Sequence, residues 1–123
     1  MNTVRPFLAL TALLSIASPC LADELSGTWL HEKGNVQVRF EPCGEVSCGT
    51  IVWVKPGAET KAKVGQRVFF DMRPDGRNSW SGKGAADGSV CVTKVSVDGA
   101  SLTTSGCIIS GVLCKSANWT RVQ

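Results

Sequence analysis

The chain has 123 residues, with 13 basic and 10 acidic side chains and a single His, for a formal charge of +3. So even a balance excludes the dense basic surface of a nucleic-acid binder, and one His leaves little for general acid–base chemistry near neutral pH. Six Cys in so short a chain point to an oxidising compartment.

Residues 1–22 read as a secretory signal peptide: Arg5 charges the start, Phe7 to Ala17 is uncharged and mostly apolar, Pro19 breaks the run, and small Ala22 stands at the cleavage position. The apolar run is about half the roughly 20 residues a membrane span needs, and Pro19 disfavours lipid attachment at Cys20. Cleavage there predicts one exported domain, residues 23–123, periplasmic or secreted. Taking 22 from 123 leaves 101 residues, and losing Arg5 leaves 12 basic against 10 acidic side chains. One core fits in such a length, but not two. No further apolar run approaches membrane length, and the mature chain is expected to be a soluble monomer.

From Asp23 onward, short runs rich in Val, Ile, Phe, Trp and Thr alternate with turn signals. Asp75-Gly76, Asp87-Gly88 and Asp98-Gly99 recur 12 and then 11 residues apart, and Gly34-Asn35 adds another. Such dipeptides supply the positive φ angles of tight hairpins. Cutting at these marks predicts eight strands, approximately Ser26–His31, Val36–Glu41, Gly49–Val54, Gly65–Arg73, Ser79–Gly84, Ser89–Val97, Ser101–Cys107 and Leu113–Val122. In the second, Val36, Val38 and Phe40 alternate with Gln37, Arg39 and Glu41, one face inward and one outward. The longest connection, Lys55–Val64, carries charged side chains and a Pro-Gly pair and reads as a mobile loop. No sustained helical periodicity appears, so helix is minor.

Eight antiparallel strands must dispose of two edges. Closure into an up-and-down barrel removes both, and an even strand number lets the first and last strands pair. A two-sheet sandwich is the alternative; near-uniform hairpin connections favour the barrel.

Five cysteines follow the leader, allowing 15 ways of forming two bonds and one free thiol. Proximity selects Cys43–Cys48 and Cys107–Cys114, each spanning a short turn-rich stretch. Neither pair belongs to a zinc-like set or a Cys-x-x-Cys redox motif. Cys91 remains, either a reactive thiol or a small buried hydrophobe in phase with Val95 and Val97; the second reading predicts that it reacts with alkylating agents only after unfolding.

Several motifs in order, Gly27-Thr28-Trp29, Glu41-Pro42-Cys43-Gly44, Cys48-Gly49-Thr50-Ile51-Val52-Trp53, Trp80-Ser81-Gly82, Gly106-Cys107, Cys114-Lys115-Ser116 and Trp119-Thr120-Arg121, resemble the bacterial domain of unknown function 2147 family across essentially the whole mature chain. The resemblance implies an exported bacterial protein with a small lipocalin-like (calycin-type) β-barrel. Both cysteine pairs sit in the family's places, which supports the two local disulfides. The calycin likeness implies that Trp29 closes one end of the barrel with Arg121 packed across its ring, an interaction worth about 0.5–2 kcal/mol. The chain departs from the family in a short connection after Trp53 and in Cys91, where an aromatic is common.

The residues do not favour an enzyme. His31 sits at a strand end beside Glu32 and Lys33, no Gly-x-Ser-x-Gly elbow is present, and Ser81-Gly82-Lys83-Gly84 lacks the helix that a phosphate loop needs. No cofactor or metal ligand set is expected. An eight-stranded barrel either fills with side chains or holds one small ligand, and Phe40, Trp53, Phe69 and Phe70, with Val95 and Val97, are candidate lining residues. The expected function is binding of a small apolar ligand. The alternative is a protein-interaction module, such as an inhibitor of a secreted or periplasmic hydrolase, acting through Asp23–Ser26 and the Lys55–Val64 loop.

Overall fold

A computed structural model describes residues 24–86, 89–108 and 113–122; the leader expected over residues 1–22 and the Asp87-Gly88 turn lie outside them. Eight strands follow in order: β1 Gly27–His31, β2 Val36–Cys43, β3 Val46–Val54, β4 Arg67–Gly76, β5 Ser79–Ala86, β6 Ser89–Asp98, β7 Ser101–Ile108 and β8 Leu113–Arg121. Each pairs antiparallel with the next, and β1 pairs with β8, closing the barrel. The closed meander therefore displaces the sandwich alternative.

Residues directly opposite each other in a ladder share a face. The register carries an inward set around the barrel: Phe40 opposes Gly49, Val38 opposes Ile51, Trp80 opposes Val95 and Leu102 opposes Trp119. Turn placement follows local backbone chemistry. Gly34, Gly44 and Gly99 all take positive φ at hairpin tips. At the fourth hairpin, β4 runs through Asp75-Gly76, and the turn falls on Arg77-Asn78, where Asn78 takes φ 54°. Asn tolerates that left-handed geometry, so the turn lies two residues later than Asp-Gly suggests.

The two halves of the barrel are packed differently. In the half where β1 begins and β8 ends, Leu25, Trp29, Phe40, Met72, Val95, Val97 and Leu102 are almost wholly buried and fill the interior. Leu25 is fully buried, and its carbonyl accepts from Trp29 Nε1 at 3.0 Å. Arg121 lies 4.2 Å from the centroid of the Trp29 ring and donates to the carbonyls of Ser26 and Glu24. The Arg121–Trp29 stack lies at this end, and Leu25, before β1, is drawn in beneath it. Leu25 is thus packed into the barrel and Ser26 is half-buried, while Glu24 is exposed; of the segment Asp23–Ser26, expected to be an exposed arm, Asp23 lies outside the described residues.

At this same end, the disulfide Cys43–Cys48 spans the β2–β3 hairpin with Cα atoms 6.0 Å apart. Cys107 and Cys114 are direct cross-strand partners on β7 and β8, at the opposite end of the barrel; their side chains are outside the described residues. The spacing of antiparallel partners, about 4.5–5.5 Å, falls within the range a disulfide bridges. Only the first of the two expected bridges is seen.

Candidate functional site

Towards the other end, the inward positions change character. Gly84 on β5, Cys91 on β6, Gly106 on β7 and Ala117 on β8 continue the faces that carry Trp80, Val95, Leu102 and Trp119 lower down. Small residues cannot span the interior there. The result is a cavity of about 570 Å³, open at the end where β1–β2, β3–β4, β5–β6 and β7–β8 connect. That volume lies within the usual range for small-molecule sites.

Val36, Val38, Ile51, Val68 and Phe69 make one wall. Phe69 lies under the cavity with its ring 5.0 Å from Phe40 and 6.3 Å from Trp119. Gly49 is required at this point: a Cβ there would lie 2.8 Å from Phe69 Cδ2 and 3.0 Å from Phe40 Cε2. The other wall, from β6 to β8, is more polar, with Cys91, Thr93, Thr104 and Ala117. Thr93 and Thr104 are 3% and 7% exposed. Thr93 Oγ1 donates to the Cys91 carbonyl at 3.2 Å, and Thr104 Oγ1 accepts from Trp119 Nε1 at 3.0 Å.

The rim is hydrophilic and mixed in charge, with Lys33, Glu59 and Lys115. His31 stands at its edge, packing edge-on against Trp119 at 4.8 Å. Its Nδ1 accepts from the Lys33 backbone N–H at 3.1 Å, which places the neutral ring's proton on Nε2. Burial pushes the His31 pKa below its usual value, against the pull of Glu32 and with the push of Lys33. The Lys55–Val64 segment, read from sequence as mobile, is tied at both ends: Lys55 N–H donates to the Asn35 carbonyl and Gly65 N–H to the Ile51 carbonyl. Its Glu59 and Thr60 reach the cavity mouth.

Of the four aromatics expected to line an interior, only Phe69 does so. Phe40 points inward but is buried in the filled half; Val95 and Val97 are packed there too. Trp53 and Phe70 fall on the outer face, Trp53 because of a bulge and Phe70 because it directly follows inward Phe69 in the strand. In β3, Val38 opposes Ile51 while Gln37 opposes Trp53, so Val52 is an extra residue. Parity inverts beyond it: Val54 now opposes inward Val36, and Trp53 turns out. In β4, the register shifts between Phe70 and Arg73 at Asp71, which takes φ 53°. Phe69 and Met72 both point inward as a result, while Phe70 opposes exposed Lys83.

Cys91 occupies the face expected for it, in phase with Val95 and Val97, but it is half-buried and borders the cavity. Burial was the expectation; small neighbours explain the difference, since Gly84 is its cross-strand partner and a Cβ on Gly106 would lie 3.1 Å from its Sγ. Trp119 and Thr104 were missed as site residues. Their signal was available as the drop in side-chain size along β5 to β8 from Trp80, Val95 and Leu102 to Gly84, Cys91 and Gly106. Among the described residues no group of three His, Cys, Asp or Glu is placed to hold a metal ion, and no helix is long and apolar enough to cross a membrane.

A family model described as "Uncharacterized protein conserved in bacteria (DUF2147)" matches residues 27–121. A comparison with curated proteins found no match. Among solved structures, the chain is similar to protein HP1028 from the human pathogen Helicobacter pylori, which is described as belonging to the lipocalin family; the TM-score is 0.66 at 16% identity, over 83% of this chain and 85% of that one. At that identity the likeness concerns the fold.

Proposed function

The chain belongs to the bacterial DUF2147 family, and from that premise we propose that it is a non-catalytic carrier or sensor that takes one small apolar ligand into the open half of its barrel. The observation that carries this reading is the cavity of about 570 Å³ that rests on the paired rings of Phe69 and Trp119, against the Val36, Val38, Ile51 wall. Apolar surface lining a concavity gains from removing a ligand's apolar surface from water, at about 25 cal/mol per Å². The lipocalin-like neighbour supports the reading at the level of fold. This reading is favoured over a hydrolase inhibitor because Leu25, in the segment such an inhibitor would extend, is fully buried in the closed end.

The protein is exported to the periplasm or beyond, with residues 1–22 as its leader, and carries a second bridge, Cys107–Cys114, near the cavity mouth. The first bridge holds one end of the barrel and the second holds the hairpin at the other. Native mass spectrometry of protein purified from its own bacterium tests the function. A retained small molecule, lost on transfer to organic solvent, supports it. Protein of apo mass that also takes up no apolar naphthalene probe contradicts it.

A further inference from the structure

The two walls of the cavity differ, and the difference selects among apolar ligands. Thr104 is 7% exposed and borders the cavity from β7. Indole nitrogen can only donate, so the 3.0 Å contact from Trp119 Nε1 makes Thr104 Oγ1 the acceptor. The hydroxyl's own proton must then point elsewhere, and among the described residues no protein acceptor receives it. Thr93, one register step away, differs: its proton is taken by the Cys91 carbonyl. A buried donor without a partner is costly to leave unmade, and the open space beside Thr104 is the cavity.

Resting on the ligand-binding reading above, we infer that Thr104 is a specificity-determining donor, and that the ligand is an apolar molecule bearing an acceptor oxygen, such as a carbonyl, held against the β6–β8 wall. Its hydrocarbon skeleton lies on Phe69 and the aliphatic side chains of β2 and β3. Trp119 is a positioning residue: it fixes the Thr104 hydroxyl so that the proton faces inward. Hydrocarbons of the same shape bind without this contact and more weakly in proportion.

The test uses two isosteric probes, 2-acetylnaphthalene and 2-isopropenylnaphthalene, in which C=O is replaced by C=CH2. Their affinities are measured on the full mature protein, on Thr104→Val and on Thr104→Ser. Val keeps the shape and removes the hydroxyl, so the ketone-to-alkene affinity ratio should fall by about 3- to 10-fold relative to wild type, the worth of one net hydrogen bond. Ser should preserve the ratio. An unchanged ratio in Thr104→Val overturns the inference. Alkene binding that survives in that variant shows that the cavity is intact; failure of both probes on wild-type protein overturns the ligand-binding reading itself. Should Thr104→Val fail to fold, the infrared carbonyl band of 13C-labelled ketone on wild-type protein decides. A band lowered from its position in hydrocarbon solvent, and returned towards it in Trp119→Phe, supports the inference. A band at the hydrocarbon-solvent position on wild-type protein refutes it.

Discussion

Replacing Cys91 by Leu separates a hollow barrel from a filled one by the sign of a stability change. Cys91 stands opposite Gly84 and above Gly106, so a larger side chain there extends into the cavity and meets no packed neighbour. Leu adds two carbons beyond the position of Sγ. At about 0.8 kcal/mol per buried methylene the upper limit of the gain is about 1.6 kcal/mol, and the open mouth keeps part of that surface wet. The expected result is stabilisation of about 0–1.5 kcal/mol. In a filled interior, the same change would overpack and cost about 1–3 kcal/mol. Equilibrium unfolding in urea, followed by Trp fluorescence with the disulfides intact, gives the difference from a midpoint shift at constant slope. A loss above about 1 kcal/mol with unchanged slope would refute the hollow half. The same variant should bind 2-acetylnaphthalene several-fold more weakly, because it occupies the site.

Other consequences follow from single contacts. Cys91 should react with iodoacetamide in the native state, and ligand should slow the reaction; labelling only in denaturant would return it to the buried class. Breaking Cys43–Cys48 by the double change to Ser should cost about 2 kcal/mol for so short a loop, read as a lower urea midpoint. Arg121→Ala removes the stack on Trp29 and the bonds to the carbonyls of Ser26 and Glu24, and should cost about 2 kcal/mol while exposing residues 24–26 to protease. Asp75 accepts from the hydroxyls of Ser81 and Ser79 and pairs with Lys94 at 3.0 Å, which lowers its pKa to about 2. Its contribution is complete above the unfolded carboxylate range and is lost as pH falls towards 2; the acid limb of stability should flatten in Asp75→Asn. His31, whose pKa is lowered chiefly by burial, works in the same direction at higher pH. The folded state resists its protonation, so stability should decline as pH drops below about 6.5, and His31→Gln should remove that decline.

The residues of this chain announce the barrel more openly than its interior. Turn dipeptides such as Asp98-Gly99, alternating faces such as Val36, Val38 and Phe40, and an even strand number are local signals, and they sufficed for eight strands and closure, although Asp75-Gly76 lies within β4 and not at the turn. The Trp29–Arg121 contact was legible through the family motifs at the two ends of the chain. The lining aromatics were not, because side-chain direction in a strand depends on counting. One extra residue, Val52 or Asp71, reverses every position beyond it, and neither residue type advertises a bulge. Trp53 lies outside for that reason, whereas Phe70 lies outside because it is the strand neighbour of inward Phe69. The cavity itself arises from absence of bulk at Gly84, Gly106 and Ala117, and a glycine in a strand reads equally as a bulge, a close approach or a void until the register shows which residues share its face. Thr104 needed more still, since its role depends on the direction of one hydrogen bond from Trp119.

Diffraction from crystals pressurised with xenon probes the central claim most directly, because xenon enters apolar space without requiring any particular chemistry. A hollow half predicts density for xenon in the space bordered by Val36, Val38, Gly84 and Ala117, above the touching rings of Phe69 and Trp119, and none among Leu25, Trp29 and Met72. An interior beyond the Phe69–Trp119 pair that takes up no xenon would contradict it.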